Sequence, residues 1–378
     1  MAQGLPVYMD CNATTPMEPA VAEVVRRFFE EEFGNEGSRT HAFGARAKEA
    51  VQKAREQVAQ LVDAKPEEVV FTSGATESNN LAILGLAHWG RQHGKTHIIS
   101  TRIEHKAVLE PIDHLAKDGF EVDLVAPNKQ GRVETDKIIR LLRPTTMLVS
   151  VMHANNETGV IQPIGELVEA LAHHPAWLHV DAAQTFGKLI PELRHHRIDL
   201  ISASGHKIYG PKGVGVLVVR HRGRQKIPLS PITFGGGQEQ GLRPGTLPVP
   251  LIVGLGKAAE MGAQNHATRE KQCRLFREKF LQAVNVLQPK IHGEESHVLP
   301  HTVNASFPGV SAEEAMLRLK DLVAVSNGSA CTSASYQPSH VLKAMHLAKD
   351  EIIGAIRFSW SHLTPEPDWK ALVERLRG

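Results

Sequence analysis

The chain has 378 residues, with 43 Lys and Arg against 41 Asp and Glu, so its formal net charge is +2 when His is neutral. Hydrophobic residues make up 42% and charged residues 22% of the chain, a composition that excludes a disordered or fibrous protein. The length exceeds what one hydrophobic core usually supports, which predicts two packed units, and the interspersed charges give no basic stripe for direct nucleic-acid binding.

The cysteines and histidines indicate neither a disulfide framework nor a metal site. Cys11, Cys273 and Cys331 lie far apart without a CxxC pair, and the 21 histidines include no HExxH spacing. The first residues show no basic-then-apolar signal pattern, and no apolar run approaches the roughly 18 residues of a membrane helix. We therefore expect a cytoplasmic protein with no membrane segment.

Short apolar runs alternate with longer segments of helical periodicity through the first two thirds of the chain. The apolar runs predict strands at 69–72, 97–100, 122–125, 147–151, 177–180, 198–203 and 214–219. The periodic segments predict helices at 45–61, 78–89, 108–116, 135–142 and 164–172. Because strands that alternate with helices form crossover units, the predicted fold class is α/β with a mostly parallel sheet, and ligands should bind beyond the carboxyl ends of its strands.

After Pro250 the pattern changes to longer helical stretches, predicted at 251–264 and 268–287, with fewer runs typical of strands. We therefore predict a large domain at 17–250 and a smaller α/β domain formed by 1–16 and 251–378.

A lysine and an aspartate stand at the ends of two predicted strands. The run 198–206 leads through a Ser/Gly turn to Lys207, and a lysine placed there can act as a nucleophile if its pKa is lowered. Asp181 ends the run 177–181, 26 residues earlier, where a carboxylate can pair with the protonated ring nitrogen of pyridoxal phosphate. Taken singly, Lys207 is compatible with a surface lysine and Asp181 with a helix cap.

A phosphate seat is predicted where the run 69–72 turns through Ser73 and Gly74 into a helix. The backbone N–H groups of Ala75 and Thr76 at the helix start, with the Thr76 hydroxyl, can bind a phosphate. A well-capped helix start without a ligand has the same sequence signature.

Seven motifs in order make the chain resemble the cysteine desulfurase family. The resemblance runs from about residue 7 to residue 364 through FTSGATESNN, EHKAVLEP, NNETGVIQPI, HVDAAQ, SGHKIYGPKG, GGGQE…GT and SACTSAS. These enzymes belong to the class-V aminotransferase group of fold-type I pyridoxal-phosphate enzymes. The resemblance implies pyridoxal 5'-phosphate as the cofactor and L-cysteine as the substrate.

The resemblance also assigns roles at the ring of the cofactor. Lys207 is the Schiff-base lysine and moves the substrate's α-proton, Asp181 pairs with the pyridine nitrogen, and Gln184 bonds the ring hydroxyl. His105 stacks on the ring and serves in acid–base steps.

Further roles implied by the resemblance concern the phosphate and the substrate carboxylate. Ala75, Thr76, Ser204 and His206 bind the phosphate, and Thr246 reaches the phosphate of a neighbouring subunit, which implies a homodimer. Asn156 and Arg357 hold the substrate carboxylate, for which a guanidinium offers a bidentate match. The alternative for Arg357 is a surface salt bridge.

Cys331 determines the reaction that the resemblance implies. It lies among small residues at 326–335, which favour a loop over a core, although a buried inert cysteine is the alternative. The resemblance implies that its thiolate takes sulfur from L-cysteine, leaving L-alanine and a persulfide on Cys331. The sulfur then passes to an acceptor protein, for which one carrying an iron–sulfur cluster is a candidate, since this chain lacks a cysteine set for a cluster.

Three stretches depart from the usual family pattern. Residues 34–41 replace an Asn-Pro-Ser stretch, 243–246 read Arg-Pro-Gly-Thr, and Ser361-His362 replace a Gly-Arg pair after Arg357. The first two, with Asp10-Cys11-Asn12, resemble the desulfurases that feed DNA phosphorothioation. The third leaves the contacts around Arg357 open, and Cys11 is expected either near the pocket or as a small packed residue.

Several functions remain open at this level. A housekeeping sulfur donor for iron–sulfur clusters or tRNA thiolation has the same motifs. A selenocysteine lyase or an aminotransferase of the same group is an alternative, although an aminotransferase does not need Cys331. A sulfur-delivery scaffold without activity is disfavoured, because Lys207, Asp181 and His105 occur together.

Overall fold

The structure is a computed structural model that describes residues 4–223, 225–328 and 338–377. Its strands are β1 (Val7–Tyr8), β2 (Val69–Thr72), β3 (His97–Thr101), β4 (Glu121–Val125), β5 (Thr146–Met152), β6 (Trp177–Asp181), β7 (Leu200–Ser204), β8 (Gly215–Val219), β9 (Lys290–His292), β10 (Thr302–Ser306), β11 (Val323–Ala324) and β12 (Ala355–Ser359). Its helices are α1 (Pro19–Glu30), α2 (Ala42–Leu61), α3 (Ala75–Leu84), α4 (Ala87–Gln92), α5 (Lys106–Lys117), α6 (Thr135–Ile139), α7 (Ile164–Ala170), α8 (Val249–Val284), α9 (Ala312–Leu319), α10 (His340–Ala344), α11 (Lys349–Gly354) and α12 (Trp369–Arg377).

A central sheet has the strand order β2-β8-β7-β6-β5-β3-β4. The five strands from β7 to β4 are parallel, whereas β8 runs antiparallel to both β7 and β2. Every residue of β5, β6 and β7 is buried, as expected for strands that helices cover on both faces. The predicted α/β class with a mostly parallel sheet is confirmed.

Two of the predicted helical segments have different bounds in the structure. The segment 78–89 is divided between α3 and α4 at Gly85, whose carbonyl accepts a hydrogen bond from the distant Ser230 N at 2.9 Å. The separate helices expected at 251–264 and 268–287 form the single helix α8. The residues between them contain neither Gly nor Pro, so the backbone hydrogen bonds continue without a break.

Helix α8 connects two hydrophobic cores. Its first half places Ile252 and Leu255 in the core beneath the central sheet, and Gly256 lets α2 approach so closely that a Cβ there would lie 2.6 Å from Ala54. Its second half places Phe276 and Phe280 in a separate aromatic core. None of the described helices is long and apolar enough to cross a membrane.

The aromatic core covers a second, antiparallel sheet of order β12-β10-β9. Beside it, β1 pairs in parallel with β11, and Asp10 then bridges to Ser359 at the end of β12. Cys11 N donates to Ser359 O at 2.9 Å, and Thr15 N donates to His206 O at 2.9 Å. The N-terminal segment therefore runs from the small sheet to the carboxyl edge of the central sheet.

Candidate active site

A cavity of about 1570 Å³ lies at the carboxyl ends of β5, β6 and β7. Its lining includes these predicted site residues: Ala75, Thr76, His105, Asn156, Asp181, Gln184, Ser204, His206, Lys207 and Arg357. Residues from distant parts of the sequence thus meet at the edge where an open α/β sheet binds its ligands.

Asp181 is the last residue of β6 and is 5% exposed. One carboxylate oxygen accepts a hydrogen bond from Asn79 Nδ2 at 2.7 Å and the other from Ala183 N at 2.9 Å. The residues that follow form turns and not an α-helix, so the helix-cap alternative does not apply. These two hydrogen bonds hold the Asp181 side chain at the cavity edge, where it can pair with a protonated ring nitrogen.

Lys207 lies in a short turn of 3₁₀ helix that directly follows β7. The turn is tight because Gly205 and Gly210 lack side chains: a Cβ on Gly205 would lie 2.7 Å from Pro211 O, and one on Gly210 2.9 Å from Gly205 O. The Lys207 ammonium donates to the carbonyl of Asn12. Lys207 therefore lies at the cavity wall, so the alternative of a surface lysine does not apply.

Asn12 is a site residue that sequence reasoning did not identify. Its carbonyl accepts from Lys207 and also from Gln184 Nε2 at 3.0 Å, and its own amide donates to Asn156 O at 3.1 Å. Its sequence signal was Asp10-Cys11-Asn12, which by itself indicated only a departure from the family pattern. Asn12 ties both ends of the cavity together through its backbone and its side chain.

His105 is the N-cap of α5, and its Nδ1 accepts a hydrogen bond from Ala107 N at 3.1 Å. Burial lowers the pKa of His105, and the nearby charges of Lys207 and His340 lower it further, although Asp181 opposes this shift. The ring is therefore neutral near pH 7. Because Nδ1 is the acceptor, the neutral ring carries its proton on Nε2 and can donate a hydrogen bond into the cavity.

The start of α3 and the end of β7 form a seat for an anion. Gly215 allows β8 to touch the α3 start, since a Cβ there would lie 2.5 Å from Gly74 Cα. The first N–H groups of α3 are free of intrahelical partners, and Ser204 and His206 line the same part of the cavity. Burial and then Lys207 lower the pKa of His206 to about 4.

The carboxylate of Glu77 fixes the backbone at the start of this anion site. Glu77 accepts from Ser73 N at 2.6 Å and from Arg243 Nε at 2.9 Å. These bonds, acting against burial, lower the pKa of Glu77. The segment that carries Thr246 is thereby tied to the α3 start of its own chain.

The residues present fit pyridoxal phosphate. Gln184 Oε1 is buried and has no hydrogen-bond partner in the described ranges, so it is available to a ring hydroxyl. Asp181 suits the ring nitrogen, Lys207 the aldehyde carbon, and the α3 start the phosphate.

Arg357 forms the opposite end of the cavity and is 1% exposed. Its guanidinium donates to Asp10 Oδ1 at 2.5 Å, to Asn156 O at 3.0 Å and to Ser326 Oγ at 3.4 Å. The salt bridge is therefore buried and not on the surface. Sequence reasoning identified Arg357 but missed Asp10, which no local pattern connects to it.

The Ser361-His362 departure leaves these contacts intact. Ser361 Oγ accepts from Leu363 N at 3.2 Å, and His362 Nε2 contacts Glu18 Oε1 at 2.7 Å. Ser361 thus contacts the backbone that follows it and His362 contacts Glu18, and neither side chain contacts the Arg357 guanidinium.

Two residues of interest lie outside the cavity lining, and a third falls outside the described residues. Cys331 belongs to 329–337, outside the described residues, although Gly328 and Pro338 on either side of that stretch line the cavity. Thr246 is exposed and does not line the cavity of its own chain. Cys11 is fully buried outside the cavity, where burial raises its pKa to about 11, so it is a small packed residue.

Two buried glutamates in the quoted motifs were also missed. Glu104 Oε1 accepts from Thr101 Oγ1 at 2.7 Å and from Met152 N at 2.9 Å, and burial raises its pKa to about 8. Glu157 accepts from Ser339 Oγ at 2.6 Å, and burial raises its pKa. Within the described chain, no group of three or more His, Cys, Asp and Glu side chains is arranged to hold a metal ion.

Curated relatives match almost the whole length of the chain. Cysteine desulfurase IscS of Anaeromyxobacter dehalogenans is 45% identical over 368 residues, which cover 96% of this chain and 90% of that protein. Cysteine desulfurase IscS of Escherichia coli is 45% identical over 376 residues, covering 99% of this chain and 92% of that one.

Solved structures share the fold. DndA from Streptomyces lividans is 50% identical with a TM-score of 0.83, covering 92% of this chain and 98% of that one. SspA in complex with cysteine is 37% identical with a TM-score of 0.83, and the match covers 95% of this chain and 100% of that one. A NifS-like protein is 36% identical with a TM-score of 0.89, and the match covers 99% of this chain and 98% of that one.

The profile of the class-V aminotransferase family matches residues 7–372. This match and the relatives confirm the resemblance drawn from the motifs, the fold-type I architecture and the need for pyridoxal phosphate. The chain belongs to the class-V aminotransferase family and, within it, to the pyridoxal-phosphate-dependent cysteine desulfurases.

Proposed function

We propose that the chain takes sulfur from L-cysteine, stores it as a persulfide on Cys331 and delivers it to an acceptor protein. The observation that carries the proposal is the meeting of Lys207, Asp181 and Arg357 in one cavity. An acid for the ring nitrogen, a lysine for the α-carbon and a guanidinium for the carboxylate are what an amino acid bound to pyridoxal phosphate requires.

At the ring end, Asp181, Gln184 and the α3 start hold pyridoxal phosphate, which supplies an electron sink when bound. Lys207 moves the proton of the substrate α-carbon, and the Asn12 carbonyl fixes the position of its ammonium group. His105 lines the same cavity and, neutral with its proton on Nε2, can donate a hydrogen bond there.

At the substrate end, Arg357 and Asn156 orient the carboxylate of L-cysteine. The guanidinium is paired with Asp10 in the structure, so the substrate carboxylate has to share Arg357 with Asp10 or displace it. Fixing the substrate at both ends supplies the proximity advantage of the reaction.

The sulfur step requires the thiolate of Cys331. It attacks the sulfur of the substrate, so an S–S bond forms and the C–S bond breaks, and the substrate carbon is protonated to give L-alanine. The outer sulfur of the persulfide then passes to a thiolate of the acceptor.

We infer a homodimer in which Thr246 contacts the phosphate bound by the partner subunit. Thr246 is exposed, and Phe234, on the same loop before Gly235, is 87% exposed. Phe33 and Phe43 are 68% and 48% exposed, and their rings stack with the ring centres 5.4 Å apart. Exposed aromatic side chains of this kind are typical of an interaction surface.

We propose DNA phosphorothioation as the pathway that receives the sulfur. The departures at 10–12, 34–41 and 243–246 favour it, and the likeness to DndA supports it. The likeness to IscS supports the alternative of a housekeeping donor.

Adding L-cysteine to the wild type and to Cys331→Ser, with alanine, sulfide and cofactor absorption followed together, tests the reaction. We expect alanine from the wild type, and from the variant only the spectral change of substrate binding. Equal turnover by both proteins would contradict the role of Cys331.

A second experiment tests the pathway. Wild-type protein loaded with labelled sulfur from cysteine is mixed with acceptors of the phosphorothioation pathway and with iron–sulfur scaffolds. Transfer only to the scaffolds would support the housekeeping alternative.

A further inference from the structure

A second, smaller cavity of about 50 Å³ shares no lining residue with the active-site cavity. It lies between the turn that follows β6, the middle of α8 and the segment that leads into β10, where the two cores meet. Its volume accommodates roughly one to a few water-sized groups. Lys188, Tyr209, Arg269 and His301 are the lining side chains that matter here.

Lys188 has no carboxylate partner within 4.0 Å in the described chain. Among the residues that the structure describes, its hydrogen-bond partner is His301 Nε2, at 3.4 Å. An ammonium group has three protons to donate, so two of them remain for other acceptors. An uncompensated cation in a partly buried position is unfavourable unless a counter-charge is close.

The neighbouring acids do not provide that counter-charge. Burial raises the pKa of Cys11 to about 11, that of Cys273 to about 12 and that of Tyr209 well above its usual value, so all three are neutral at pH 7. Burial lowers the pKa of His301, which is neutral as well. Burial also lowers the pKa of Lys188 itself to about 8, so its ammonium group is still mostly protonated at pH 7, and these neutral groups do not balance its charge.

The carboxylates around the cavity have partners of their own. Glu18 contacts Arg269 at 2.6 Å and His362 at 2.7 Å. Glu270 pairs with Arg274, also at 2.6 Å. These pairs leave Lys188 as the excess positive charge at the cavity.

Tyr209 adds a donor to the same cavity. The residue is 3% exposed, and its hydroxyl forms no hydrogen bond among the described residues, whereas its backbone N donates to Thr15 Oγ1. The ring is contacted by two cations, with Lys188 Nζ at 5.7 Å and Arg269 Cζ at 5.0 Å from its centre. A tyrosine that lines the cavity with its hydroxyl unpartnered, beside an ammonium group that has no carboxylate partner, leaves a place for an acceptor.

We propose that this cavity binds a small monovalent inorganic anion of halide size, held by Lys188 and the Tyr209 hydroxyl. The anion balances the Lys188 charge and accepts the unused hydrogen bonds. The volume excludes larger organic anions. Since Lys188 follows Gln184 by four residues and its charge acts on Cys11, next to Asn12, the anion stabilises the junction behind the active site. The proposal does not depend on the sulfur-transfer reaction.

Bromide is a suitable probe, because its anomalous scattering locates it. Crystals of the cofactor-loaded protein soaked in bromide should show a peak within hydrogen-bond distance of Lys188 Nζ and Tyr209 Oη. In solution, the broadening of the bromide NMR signal should give an affinity about tenfold or more weaker for Lys188→Met, since a charge-assisted contact is lost. Tyr209→Phe, which removes only the hydroxyl, should weaken bromide binding less.

Lys257→Met is the matched control, because Lys257 lies on α8 and pairs with Glu260 outside this cavity. It should bind bromide like the wild type. If Lys188→Met fails to fold, Tyr209→Phe decides the question by itself. An empty cavity in bromide-soaked wild-type crystals, or equal bromide affinity in the wild type and Tyr209→Phe or Lys188→Met, would overturn the proposal.

Discussion

The two ends of the active-site cavity are built in different ways. The ring end takes Asp181 and Lys207 from the ends of neighbouring parallel strands, and hydrogen bonds within the chain already fix them. The substrate end takes Arg357 from the small sheet and pairs it with Asp10, which is 347 positions away in the sequence. The ring end is thus arranged before any ligand binds, whereas the substrate end holds an internal ion pair that a ligand must disturb.

The largest effect is expected at the ring end. Lys207→Ala removes the group that moves the α-proton, and we expect turnover of L-cysteine to fall on the order of 10²–10⁴-fold or more. The cofactor should still bind through Asp181 and the α3 start. Alanine release and cofactor absorption measure the two effects separately, with Lys257→Met as the control. Retained turnover would remove Lys207 from the chemistry.

A buried acid behind the ring end should make stability depend on pH. The pKa of Glu104 is about 8 in the folded protein and near 4.5 when exposed, so unfolding releases a proton between these values. The stability of the wild type should therefore fall as the pH rises from 5 to 8, by up to about 4 kcal/mol relative to Glu104→Gln.

Urea unfolding of both proteins at pH 5, 6.5 and 8 checks this expectation. Gln keeps the acceptor for Thr101 Oγ1 and Met152 N but cannot ionise. A stability difference that stays constant with pH would show that Glu104 does not titrate in this range.

Much of the ring end could be predicted from the sequence because its residues follow strands directly. An apolar run that ends in Asp181 or leads to Lys207 places the side chain at the sheet edge whatever the rest of the chain does. Ala75 and Thr76 could be found for the same reason. Asn12 could not, because its role lies in a backbone carbonyl and every residue type carries one.

The role of Arg357 at the substrate end could be predicted only from the family resemblance. Arg357 lies within a fully buried strand, and its local sequence does not say which face or partner it has. Asp10 reaches it because β1 pairs with β11 and the chain then crosses to β12, a long-range arrangement. The continuity of α8 was missed for the opposite reason, since the weak helix formers Asn265 and His266 do not stop a helix that is packed along its length. The two-domain division remains a prediction.

Arg357→Lys tests the substrate end with the charge retained. Lysine cannot reproduce the planar fork that contacts Asp10, Asn156 O and a carboxylate. We expect kcat/KM for L-cysteine to fall about 100-fold, mostly through KM, with cofactor absorption unchanged. A fall in kcat alone would place Arg357 in the chemical step and weaken the contrast between the two ends.

The smallest effect is expected from a variant that tests whether the Asp10 carboxylate occupies the place of the substrate carboxylate at Arg357. Asp10→Asn leaves the buried guanidinium without its anion, and we expect the free energy of unfolding to fall by about 1–3 kcal/mol. Saturating L-alanine, whose carboxylate can occupy the same guanidinium, should restore part of that loss. Urea unfolding with and without L-alanine measures both quantities.

Ser326→Ala is the matched control, because it removes the weaker 3.4 Å contact to Arg357 and no charge. Its stability should change less, and L-alanine should stabilise it as much as it stabilises the wild type. An Asp10→Asn protein that L-alanine stabilises no more than the wild type would make the Asp10 pair a fixed part of the scaffold. The substrate end would then be arranged in advance, as the ring end is, and the two regions would differ only in the sequence distance of their partners.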